Sequence, residues 1–92
     1  MKIRLFATLR PLAGDKQVEL PVAPGSTVGE VLSRLVEEFP RLEGEILTSN
    51  RQALLPHVQV FIGGRSVRDM QGLATVLEDP RDMAVFPPVA GG

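Results

Sequence analysis

Thr27-Val28-Gly29-Glu30-Val31-Leu32-Ser33-Arg34-Leu35-Val36-Glu37-Glu38-Phe39-Pro40 is the strongest helical pattern in the chain, and the fold follows from it. Thr27 and Glu30 have the spacing of a capping box, in which the Thr hydroxyl accepts from the N3 amide while the Glu side chain reaches back to the Thr amide. Val28, Val31, Leu32, Leu35, Val36 and Phe39 then recur at helical spacing and form one apolar stripe. Glu30, Ser33, Arg34, Glu37 and Glu38 fall on the other side, and Pro40 stops the helix. An apolar stripe of this length needs an apolar surface to cover, and the flanking sequence supplies strands.

Upstream, Lys2 to Leu9 alternates as a strand, with Ile3, Leu5, Ala7 and Leu9 facing the core and Lys2, Arg4, Phe6 and Thr8 facing away. Pro11 to Asp15 reads as a turn, and Lys16 to Leu20 as a second strand, antiparallel to the first because the connection is short. Pro21 to Ser26 separates that strand from the helix. Downstream, Arg41 to Pro56 is irregular, with Leu42, Ile46 and Leu47 as apolar anchors. His57 to Ile62 forms a third strand, Val58, Val60 and Ile62 pointing one way and His57, Gln59 and Phe61 the other. Gly63-Gly64 signals a two-residue hairpin into Arg65-Ser66-Val67. Arg68 to Val76 is irregular, anchored by Leu73 and Leu77. Met83 to Phe86 is the last strand, with Met83 and Val85 inward and Ala84 and Phe86 outward. The order predicts an α+β protein: a mixed sheet of four to five strands packed on one main helix.

The chain's 92 residues suffice for one domain with a modest core. Residues 1–86 make up that domain, and 87–92 form a projecting tail. Hydrophobic content of 43% with 23% charged residues is that of an ordinary globular protein. A net charge of −1 without a basic cluster argues against nucleic acid as a partner. No apolar run approaches the roughly 20 residues that span a bilayer, and Met1-Lys2-Ile3-Arg4 does not open a signal peptide, so no membrane role and a cytoplasmic location are expected. There is no Cys, and His57 is the only His. Disulfides, thiol nucleophiles and Cys- or His-based metal clusters are thereby excluded, so no metal site and no bound cofactor are expected.

Chemistry is then left to the tail, Phe86-Pro87-Pro88-Val89-Ala90-Gly91-Gly92. Pro87 and Pro88 fix φ and favour an extended path. Gly91 and Gly92 have no Cβ to collide with the walls of a narrow channel, so they can carry the Gly92 carboxylate into another protein's active site.

These segments resemble the MoaD/ThiS-like sulfur carriers, which have the ubiquitin-like β-grasp fold. The resemblance covers the whole chain and is sharpest over Ile3 to Gly14, Thr27 to Leu35, and Asp79 to Gly92. The closing heptapeptide looks like that of the small subunit of molybdopterin synthase. Leu9-Arg10-Pro11, His57, Val67-Arg68 and Gly72-Leu73-Ala74-Thr75 resemble the carriers of thiocarboxylate-dependent cysteine biosynthesis. The chain departs from the family pattern in two turns, with Asp79-Pro80-Arg81-Asp82 before the last strand and Gly63 in place of the commoner Asn.

The resemblance implies a carrier, not an enzyme. A partner adenylates the Gly92 carboxylate with ATP, a sulfur donor converts it to a thiocarboxylate, and sulfur passes to an acceptor. For molybdopterin that acceptor is the large subunit of the synthase. Pro87, Pro88, Val89, Ala90 and Gly91 would enter the partner's site. The resemblance also implies that the first and last strands pair, which brings Phe6 and Phe86 together beside the tail, either as a docking patch or tucked against the loop Arg68–Thr75. Lys2, Arg4 and Arg10 either add positive steering toward an acidic partner or form a solvated face. Three readings follow: a sulfur carrier for molybdopterin, cysteine or tRNA thiolation; a modifier joined to lysines; and a β-grasp interaction module whose tail is idle.

Overall fold

The computed structural model describes residues 1–79 and 82–88. A five-stranded sheet forms the body of the fold. Strand β1 (Lys2–Leu5) lies between β2 (Gln17–Glu19), antiparallel, and β7 (Asp82–Phe86), parallel. Strand β4 (Gln59–Ile62) pairs antiparallel with β7 on one side and with β5 (Arg65–Ser66) on the other. The sheet is thus mixed, and one main helix, α2 (Val28–Glu38), completes a ubiquitin-like β-grasp. Among the described residues no helix is long and apolar enough to cross a membrane.

The helical stripe and the inner sheet face form one core. Val28, Val31, Leu32, Leu35 and Val36 of α2 are buried in a single cluster with Ile3, Leu5, Val18, Val60, Met83 and Val85. Leu42, Ile46 and Leu47 are buried in the same cluster, as their apolar character in an irregular segment requires. The capping box is formed: Glu30 N donates to Thr27 Oγ1 at 3.2 Å, and Thr27 N to Glu30 Oε1 at 3.3 Å. Thr27→Ala leaves the N3 amide without its acceptor and is expected to cost ~1 kcal/mol, read as a lower urea midpoint at unchanged slope.

Five local expectations are corrected. The first strand ends at Leu5, not Leu9: Ala7 turns into the left-handed region at φ 51° and is exposed, and Leu9–Ala13 forms a short helix, α1. Leu9 is buried and Leu12 and Ala13 pack partly against the core, a helical i, i+3, i+4 pattern that the preceding alternation disguised. Pro11 fits because it occupies the first turn, where backbone amides have no intrahelical acceptor. The turn expected over Pro11 to Asp15 therefore begins only at Gly14, the left-handed cap of α1 at φ 83°. His57 is not a strand residue; at φ 69° it is exposed in the turn leading to β4. Val67 is buried but starts a 3-10 turn, Val67–Asp69, instead of extending β5. The end of the separator and the helix cap also pair with the segment after α2: β3 (Ser26–Thr27) and β6 (Val76–Leu77) form a two-residue antiparallel ladder. The Gly63-Gly64 hairpin stands, both residues at positive φ as a primed turn demands.

Candidate docking face and tail exit

Helix α2 covers one face of the sheet, and strand alternation directs the polar and aromatic set to the other. Register decides which of these residues meet. Arg4 and Phe61 both lie opposite Ala84, one on each neighbouring strand, and Gln59 lies opposite Phe86. Phe6 is one residue past β1 but still tied to β7, its amide donating to Val85 O at 3.2 Å. That bond sets Phe6 beside Phe86. The rings stack with centroids 4.1 Å apart and planes 13° from parallel. Phe61 meets Phe86 edge-on at 5.6 Å and 87°. The ring quadrupole favours edge-on and offset-stacked pairs over rings in full face-to-face register.

The three rings wall an open groove of about 460 Å³ whose floor is Ala84. Arg4 and Asp82 line it with opposite charges, and the Gly63-Gly64 turn forms part of its rim. The groove exists because Ala84, between Arg4 and Phe61, is too small to fill the space its neighbours leave. All three Phe side chains are half-buried, so each retains apolar surface for a partner.

The structure brings all four predicted docking residues to one region. Phe6 and Phe86 are in contact, and Arg4 lines the same groove. Arg10 belongs to α1, and its guanidinium carbon lies over the Phe6 ring, 5.2 Å from the centroid. Phe61 was not part of the predicted patch. Alternation turned it outward, but only the β4–β7 register puts it beside Phe86. His57, Glu37 and Glu38 are exposed and do not line the groove.

Phe86 ends β7, and the tail begins at the next residue. Pro87 is buried and Pro88 exposed, so the backbone emerges between them. Val89, Ala90, Gly91 and Gly92, the residues expected to enter a partner's site, lie outside the described residues.

A mixed sheet grasping one helix, with an aromatic face beside its C-terminal strand, defines a ubiquitin-like protein. SAMP1 from Haloferax volcanii, in its crystal structure, superposes with a TM-score of 0.83 at 32% identity, covering 99% of this chain and 97% of that one. The chain belongs to the ThiS family, whose model matches residues 3–92. It is 40% identical over 92 residues to small archaeal modifier protein 3 of Haloferax volcanii, covering all of this chain and 98% of the relative. It is 31% identical over 86 residues to the sulfur carrier protein CysO of Mycobacterium tuberculosis, covering 91% of this chain and 89% of that protein. The family is thus one of small sulfur carriers and ubiquitin-like modifiers.

Proposed function

We propose that this chain is a cytoplasmic sulfur carrier whose Gly92 carboxylate is adenylated by an ATP-dependent partner and converted to a thiocarboxylate. A carboxylate resists nucleophilic attack at neutral pH. Joined to AMP it becomes a mixed anhydride; sulfide attacks the carbonyl, AMP departs, and –C(=O)S⁻ remains. The product is a strong nucleophile for the reason thiolates are. The carrier contributes geometry, not catalytic groups. One observation supports this reading above the rest: Phe86 is at once the centre of the aromatic face and the residue next to the tail. A partner that covers the face therefore meets the start of the tail, Pro87, directly beside it.

The acceptor favoured by the tail is the large subunit of molybdopterin synthase, because Phe86 to Gly92 resembles the end of that enzyme's small subunit. A second reading, conjugation to lysines, is favoured by the relative named as a modifier. It needs the same activated terminus and replaces sulfide with an amine as the attacking group.

Intact mass separates these from an idle module. The chain is incubated with the adenylating enzyme of its own genome, ATP and sulfide. A sulfur-for-oxygen gain that disappears without ATP is expected. An unchanged mass, with an enzyme that activates another carrier under the same conditions, sinks the proposal. Omitting sulfide and adding a lysine-rich acceptor protein tests the second reading through an amide-linked adduct.

A further inference from the structure

We infer that Arg10 is a positioning residue that acts on a partner through the Phe6 and Phe86 rings and not by steering the partner with its charge. The inference rests on the docking reading above and adds what holds the docking face in shape. Arg10 is exposed, which by itself suggests only a solvated cation. Its contacts show more. Its backbone is fixed at both ends of a short helix: its amide donates to Ala7 O at 3.1 Å, and its carbonyl accepts from Gly14 N at 2.9 Å. From that anchor the side chain turns back to β1, where Nε donates to Leu5 O at 2.8 Å. The same guanidinium lies over the Phe6 ring at 5.2 Å, within cation–π range. One planar group thus joins the last residue of β1, helix α1 and the first ring of the stack.

Phe6 needs such a clamp. It lies beyond the end of β1 and just before the left-handed Ala7, so the sheet fixes its amide but not its ring. Its ring partners are Phe86, at 4.1 Å, and Arg10. A ring held in its bound orientation before docking loses less freedom when the partner arrives, which appears as slower dissociation. Lys cannot substitute: it keeps the charge but lacks the planar fork and the Nε donor. Charge steering would behave otherwise, acting on association and fading with salt.

The test compares Arg10→Lys and Arg10→Gln with the unaltered chain and with Phe86→Ala as a docking control. In the free chain, NMR reads the Phe6–Phe86 ring contacts and the ring-current shift of Phe6. Binding kinetics are then measured with the adenylating enzyme of the same genome at low and high salt. Both Arg10 variants are expected to lose the Phe6 ring shift. Both should raise Kd about fivefold, mainly through koff and equally at both salt concentrations, on the scale of a cation–π contact and a charge-assisted hydrogen bond. Wild-type rings or wild-type binding in Arg10→Lys would overturn the inference and leave Arg10 as a steering charge. If Phe86→Ala binds normally, the docking reading fails instead, and the ring measurement alone decides whether Arg10 sets the stack.

Discussion

A chain shortened by Gly92, or extended beyond it by a permanent peptide, is expected to take up no sulfur while unfolding at the same denaturant concentration as the unaltered chain. In the proposed reaction the carboxylate must reach the α-phosphate of ATP inside the partner. One residue fewer withdraws it by ~3.5 Å, the length of an extended residue, and chemistry tolerates errors of only about 1 Å before rates fall on the order of a hundredfold. An extension converts the carboxylate into an amide, which does not form the anhydride. Among the described residues the core cluster contains none beyond Val85, so unchanged stability is expected. Intact mass reports loading, and a urea titration reports folding. Full loading of the extended chain would show that Gly92 is not the reacting residue.

The second large effect separates the two faces of the sheet. Leu35 is fully buried on α2, and Leu35→Ala is expected to lower stability by roughly 2–5 kcal/mol through lost burial and the cavity left behind. Phe6→Ala and Phe86→Ala remove half-buried rings from the opposite face. They are expected to cost less stability but to weaken partner binding by ~2 kcal/mol, a loss of more than tenfold in affinity. Calorimetry with the adenylating enzyme and unfolding midpoints for all three variants decide the matter. If the Phe variants unfold as readily as Leu35→Ala yet bind normally once folded, the rings serve the core and the partner docks elsewhere.

Much of this was legible in the residues, and what was hidden has physical reasons. The capping box and the stripe from Val28 to Val36 are local and repetitive, so periodicity exposes them. Phe6 and Phe86 could be placed outward by alternation alone. Helix α1 was hidden because Ala7 and Leu9 continue the alternation of β1 beyond a break that no Gly or Pro marks; the left-handed residue is an Ala, whose sequence context does not announce it. His57 hid its turn in the same way. The β3–β6 ladder is two residues long, below the length at which any period shows. Phe61 was missed for a different reason: facing outward is a property of one strand, whereas meeting Phe86 depends on how two strands far apart in sequence align.

The parallel pairing of β1 with β7 carries a further consequence. Phe6 and Phe86 come from opposite ends of the chain, and neither end alone contains the surface that they form. Closing so long a loop costs chain entropy that only the non-local contacts of the finished sheet repay. A chain with a frayed first strand lacks the paired aromatic face, because Phe6 is then no longer held beside Phe86. Under the proposed docking, a partner that reads both ends at once would bind completed folds and pass over half-built ones.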